Sequence, residues 1–237
     1  MIEERGDGGV TWLTADRPDR LNSFTADDYR DLHLALSRLK ADPATRVVVL
    51  SGRGRAFSAG ADRSLLSDVH GEEDGRRAGA EFDRLITVLS GFDKPLFAAV
   101  NGLAVGFGAT LLLFCDFVVA AESARLRMPF TSLGLVPEAG SSVLLASRMR
   151  WADAMWAVLS SEWLDAHEAA RAGLVWRVAP DGELVTVVAD YARRVADRDP
   201  SSVRAAKRLL TAGRAEAVRA GLVRELAEMT ALFGHRR

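Results

Sequence analysis

A chain of 237 residues, 49% hydrophobic and 27% charged, has the composition of a globular protein long enough for one sizeable core. A net charge of -1 and a pI near 6.4 give it no general attraction for nucleic acid or an anionic membrane surface. Its one cysteine, Cys115, excludes an internal disulfide and a multi-cysteine metal site.

The opening MIEERGDGGV is charged and glycine-rich, unlike a signal peptide or a basic transit segment, and FGHRR at the end carries no targeting signal, so a cytoplasmic compartment is expected. VTWLTA (10–15) has the β-branched and aromatic character of a strand. TADDYRDLHLALSRLKAD (25–42) predicts a helix. Thr25 and Asp28 form a capping pattern, Tyr29, Leu32, Leu36 and Leu39 recur at helical spacing, and Pro43 ends the run. RVVVLSG (46–52) is continuously apolar, which predicts a strand covered on both faces. The polar, glycine-punctuated stretch 62–79 predicts a helix and a mobile loop, and EFDRLITVLSGF (81–92) returns to helical spacing.

Residues 95–121 are apolar enough to raise a membrane span. Asn101–Gly102, Gly106, Gly108 and Asp116 divide them into pieces too short to cross, so a buried strand (94–102), a glycine-entered helix (106–115) and a further strand (117–121) are expected instead. ARLRMP (124–129) predicts another strand. Helices are predicted in SSVLLASRM, ADAMWAVLSS and AHEAARAG, one strand in GLVWRVA, and helices again in DGELVTVVADYARRVADRD and SSVRAAKRLL. The class is α/β: strand–helix units followed by a helical tail. A composition shift near residue 180 separates a core (1–180) from a C-terminal helical subdomain (181–237).

Three places could carry chemistry. In RAFSAGAD (55–62) a strand runs into a small-residue loop where Gly60 permits positive φ, so backbone N–H groups can converge. An ordinary glycine turn is the alternative. In NGLAVGFGATLLLFCD (101–116) Phe107 lies between Gly106 and Gly108 in the first turn of a helix, where its N–H is unpaired; the alternative is that the glycines only allow close packing. Two such donors would form an oxyanion hole if they met. Glu138, the lone charge in PFTSLGLVPEAGSS (129–142), is either a base facing an apolar wall or a carboxylate favoured at a helix start.

RPDRLN (17–22), FSAGAD, AAVNGLAVGFGATLLLFCD, MPFTSLGLVPEAGSS and AHEAARAGLVWRV occur in the order and spacing of the crotonase, or enoyl-CoA hydratase/isomerase, superfamily. The Pro-Glu context of Glu138 resembles that of the peroxisomal-type Δ3,Δ2-enoyl-CoA isomerases. The resemblance implies a crotonase-type ββα spiral, an acyl-CoA thioester substrate, and a homotrimer or a hexamer of two trimers. The N–H groups of Ala61 and Phe107 would be its oxyanion donors, and the C-terminal subdomain would serve oligomerisation and pocket closure. It also implies that Arg20, Leu21, Ala59, Gly60 and Asp62 hold the CoA moiety and that Gly106, Gly108, Thr110, Phe130 and Leu133 border the substrate. Lys207 and Arg208 lie in a tail helix of the type that can reach a phosphate; a solvated basic helix face is the alternative for them. No metal and no cofactor beyond the substrate's own CoA are expected.

The hydratases of this superfamily carry two glutamates where Thr110 and Phe130 stand here. Neither residue can activate water, so the resemblance favours an isomerase with Glu138 as sole base. A hydratase or another reaction of the superfamily, and a non-catalytic acyl-CoA-binding module, are the alternatives. His33, His70, His167 and His235 show no metal spacing, Cys115 reads as a buried inert thiol, and Trp151, Trp156, Trp163 and Trp176 are expected to pack the C-terminal helices.

Overall fold

The computed structural model describes residues 1–65 and 72–234. His70, His235 and part of the expected 62–79 loop lie outside them.

A short charged strand, β1 (Ile2–Arg5), pairs antiparallel with β2 (Val10–Ala15), and α1 (Ala26–Ala41) follows behind the predicted Thr25–Asp28 capping box. Three turns of similar design come next. The valine run forms β3 (Val47–Gly52), which passes into the three-residue β4 (Ala56–Ser58) and then α2 (Glu72–Ser90). β5 (Leu96–Val100) passes into β6 (Leu103–Val105) and the one-turn helix α3 (Phe107–Thr110), and β7 (Phe117–Ala121) passes into β8 (Arg125–Arg127). The first strand of each turn joins a six-stranded sheet and the second joins a four-stranded sheet, which is the ββα spiral expected from the sequence.

The chain continues through α4 (Ser141–Arg148), α5 (Trp151–Leu159), β9 (Trp163–Asp165), α6 (Ala166–Ala172), β10 (Arg177–Ala179), α7 (Leu184–Ala196), α8 (Pro200–Leu210) and α9 (Arg214–Gly234). The large sheet runs β1-β2-β3-β5-β7-β10, parallel from β2 onward, with Val49 beside Trp12 on one neighbour and Phe97 on the other. The small sheet runs β4-β6-β8-β9, with only the β8–β9 pair antiparallel. Val47 to Leu50 are buried as their unbroken apolar run requires, with α7 lying across β2, β3, β5 and β7. α7 presents Leu184, Val188, Ala192 and Ala196 inward at four-residue spacing.

Some expectations are corrected. The predicted helix at 106–115 is α3 followed by a 3-10 turn over Leu111–Phe114, and only Arg177–Ala179 of GLVWRVA is strand. Trp151 and Trp156 are 67% and 60% exposed and Trp163 is also exposed, so these three do not pack the C-terminal helices. Trp176 does rest its ring on Phe117 and on Tyr191 of α7. Cys115 is fully buried and burial pushes its thiol up to about 12, the state of an unreactive core thiol. Among the described residues no helix is long and apolar enough to cross a membrane.

Candidate active site

The end of β4 and the end of β6 meet through their glycines. Gly60 has φ +84, and a Cβ there would stand 2.5 Å from the Val105 carbonyl oxygen and 3.2 Å from the Phe107 nitrogen. A Cβ on Gly108 would stand 2.3 Å from the Ser58 carbonyl oxygen. Side chains at either position would force the loops apart.

This contact brings two N–H groups together. Phe24 N–H donates to the Gly60 carbonyl (2.7 Å) and Asp62 N–H donates to the Phe24 carbonyl (2.9 Å), so the Phe24–Ala61 bridge uses the bonds flanking Ala61 and leaves its own N–H free. Phe107 opens α3 behind Gly106, so its N–H has no acceptor within the helix. Among the described residues neither N–H donates a hydrogen bond. The Phe107 ring is anchored in a buried aromatic cluster, edge-on to Phe24, Tyr29 and Phe82.

Glu138 approaches from the loop before α4. Thr110, at the other end of α3 from Phe107, donates its hydroxyl proton to Glu138 Oε1 at 2.6 Å. Burial lifts the Glu138 carboxyl to about 7; the Thr110 hydrogen bond pulls it down, and the negative charge of Glu225 pushes it further up. Glu138 keeps partial exposure because it opens on one side into a cavity of about 570 Å³, walled by Phe82 of α2 and by Leu222, Leu226 and Met229 of α9. The Phe82 ring also touches that of Phe107, with centroids 5.1 Å apart, so one wall of the cavity packs against the residue that carries the second N–H. A larger cleft of about 930 Å³, between α4, α6 and the start of α9, is lined by none of the catalytic or substrate-binding residues expected from the sequence.

The structure gathers Leu21 with the same loop. Leu21 follows a 3-10 turn ending at the exposed Arg20, and its carbonyl accepts the Ala59 N–H at 2.9 Å. Asp62 lies beside them inside a network of its own. Burial alone would raise its carboxyl, but the Ser64 N–H, the Ser23 hydroxyl and the charge of Arg17 outweigh burial and hold it at about 2. Phe130 is buried, Leu133 is exposed, and neither borders the cavity at Glu138.

Lys207 is placed apart from this group. It is 7% exposed, and its ammonium donates to Asp116 Oδ2 (2.6 Å) and the Lys94 carbonyl (2.7 Å) inside the protein. Two residues of the site were not singled out as site residues from the sequence, although Asn22 ends the RPDRLN motif. Asn22 donates from Nδ2 to the Ala56 carbonyl (2.7 Å) under the first loop, and Glu225 comes from α9 to the Glu138 loop.

The profile of the enoyl-CoA hydratase/isomerase family matches residues 5–236. The 1,2-epoxyphenylacetyl-CoA isomerase of Escherichia coli is 37% identical over 79% of this chain and 73% of its own length. Enoyl-CoA delta isomerase 2 of Rattus norvegicus is 35% identical over 86% of this chain and 52% of its own. The crystal structure of an enoyl-CoA hydratase/isomerase from Pseudoalteromonas atlantica superposes with a TM-score of 0.87 at 38% identity, covering 95% of this chain and 88% of that one. The chain therefore belongs to the enoyl-CoA hydratase/isomerase family and has the crotonase fold. It is an enzyme of that family, and its relatives bear hydratase as well as isomerase names.

Proposed function

We propose that the protein is a Δ3,Δ2-enoyl-CoA isomerase, moving the double bond of a 3-enoyl-CoA to the 2-trans position. The observation that carries this reading is Glu138: a carboxyl raised to about 7, bonded to Thr110 and facing an apolar cavity. A group that must first take a proton and then return it works best with a pKa near the working pH.

In this reading the thioester carbonyl sits between the N–H groups of Ala61 and Phe107, with the CoA moiety along Leu21 and Ala59. Ionised Glu138 removes a proton from C2, and the electron pair moves into the carbonyl to give a dienolate held by the two donors. Each donor contributes about 100- to 1,000-fold. Protonated Glu138 then delivers the same proton to C4, leaving the double bond between C2 and C3. The positioned base adds about 100- to 10,000-fold. The step balances with no external oxidant, reductant or metal. Asp116 and the Lys94 carbonyl already hold the Lys207 ammonium, so the reading takes no CoA-phosphate contact from it.

Hydration of a 2-enoyl-CoA is the second reading, favoured by the second carboxylate, Glu225, on the same cavity. It is the weaker one, since both Glu225 oxygens already accept backbone N–H groups. A trimeric or hexameric assembly is part of the proposal, and it would cover apolar side chains now in solvent, such as Trp151, Trp156, Leu209 and Leu210.

The test is product analysis with 3-cis-, 3-trans- and 2-trans-enoyl-CoA on the wild type and on Glu138→Ala. The expected result is conversion of the 3-enoyl thioesters by the wild type alone. A 3-hydroxy thioester formed from 2-trans-enoyl-CoA would replace this reading with the second, and tight thioester binding without any turnover would leave a binding module.

A further inference from the structure

The turn that presents Glu138 is completed by a carboxylate from the last helix. α4 begins behind Gly140, which brings no side chain to cap it. Glu225 of α9 takes that place: its Oε2 accepts the Gly140 N–H at 2.8 Å and its Oε1 accepts the Ser142 N–H at 2.9 Å. A negative charge at a helix N-terminus is favourable there. Glu225 is only 7% exposed, in the middle of a helix that is otherwise largely solvent-facing.

The turn needs an outside support. Ala139 and Gly140 follow Glu138 with φ +61 and +70, two consecutive residues in the left-handed region. For alanine this costs about 1–2 kcal/mol, and such a conformation persists where its surroundings fix it. α9 fits this turn closely. A Cβ on Gly140 would come within 2.7 Å of Val218 on α9, and a Cβ on Gly221 of α9 within 2.9 Å of Val143 on α4.

We propose that Glu225 is a positioning residue for the reaction: two backbone hydrogen bonds let it hold the Ala139–Gly140 turn that aims Glu138 into the cavity, while its carboxylate stands beside the base as a fixed charge. The inference rests on the reading of Glu138 as the base. Groups facing Glu138 come from four elements. Thr110 of α3 bonds to it, Tyr29 of α1 lies near it, Asp83 of α2 shares the cavity wall, and Arg219 and Glu225 of α9 line the same wall. Burial holds the Tyr29 hydroxyl protonated and raises the Asp83 carboxyl. Of the charged groups, Glu225 is the one whose field lifts Glu138.

The experiment pairs Glu225→Gln with Glu225→Asp. It reads kcat and the carboxyl 13C NMR titration of Glu138, assigned by the signal lost in Glu138→Gln. Glu225→Gln removes the charge and one acceptor, so the Glu138 midpoint should move to lower pH and kcat should fall roughly 10- to 100-fold. Glu225→Asp keeps the charge and shortens the reach, so kcat should fall with the midpoint near that of the wild type. An unchanged midpoint and kcat in Glu225→Gln overturns the proposal, as do equal losses of kcat in both variants with the midpoint unmoved in both. If circular dichroism shows Glu225→Gln unfolded, Glu225→Asp decides: a reduced kcat supports the proposal and a wild-type kcat overturns it. Turnover retained in Glu138→Gln would defeat the base assignment instead, and the two failures are distinct because the titration needs no substrate.

Discussion

Thr110 Oγ1 donates to Glu138 Oε1 at 2.6 Å, which ties the candidate base to the one-turn helix whose first residue, Phe107, offers a free N–H to the same site. The bond favours the ionised carboxylate against the burial that disfavours it. Thr110→Val keeps the shape and removes the bond, so Glu138 should titrate at higher pH. The acid limb of kcat/KM for a 3-enoyl-CoA should move upward in pH. Activity should fall about tenfold below pH 7 and change little above pH 9. A pH–rate profile of both proteins checks this, and coincident acid limbs would show that Thr110 does not act on the base.

The same carboxyl makes stability depend on pH. Its folded-state value, about 7, lies above the ordinary 4.5. The protonated group's contribution is therefore fully present below pH 4.5 and is lost as pH rises through 7. At about 1.36 kcal/mol per pH unit, that loss amounts to up to about 3 kcal/mol. Glu138→Gln has no charge to bury. Its unfolding free energy in urea should gain on that of the wild type between pH 5 and pH 8, and parallel stability curves for the two proteins would refute the shift.

What the sequence makes legible here is what short range decides. Gly60, Gly106 and the Pro137–Glu138 pair stand beside the features they produce, and the capping box at Thr25–Asp28 is complete within four residues. Strands β4, β6 and β9 are three residues each, too short for alternation to register, and β1 is an edge strand of mostly charged residues. The contacts that make the site are of longer range. Thr110 lies 28 residues from Glu138, and Glu225 lies 85 residues from Gly140. Nothing local marks Glu225 among the other charges of α9. Lys207 is a similar case: local sequence offers a phosphate contact or a solvated helix face, whereas the partner that buries it, Asp116, is 91 residues away.

Gly60→Ala tests the meeting of the two loops. Alanine would have to adopt φ +84 and place its Cβ 2.5 Å from the Val105 carbonyl oxygen. The strain should cost about 1–3 kcal/mol of unfolding free energy in urea. Relief would separate the β4 loop from α3, moving the Ala61 and Phe107 N–H groups apart, and kcat should fall at least about 100-fold with a smaller change in KM. A variant with wild-type kcat would show that the two N–H groups do not act together.

Lys207 and Asp116 distinguish an internal ion pair from a ligand contact. The ammonium donates to Asp116 Oδ2 and the Lys94 carbonyl, while Asp116 Oδ2 also accepts the Leu96 N–H at 2.8 Å, which joins α8 to the start of β5 and to β7. Removing one partner leaves a charge in a protein environment, so Lys207→Met should cost about 3–5 kcal/mol. Lys207→Met with Asp116→Asn should recover part of that loss, because the stranded charge is gone. Urea unfolding of the two single variants and the double variant reads the coupling. CoA affinity of the folded Lys207→Met protein, measured calorimetrically at two salt concentrations, should match the wild type in value and salt dependence. Weakened CoA binding with unchanged stability would return Lys207 to the phosphate-binding role expected from the sequence, with the ammonium released from Asp116 when ligand binds.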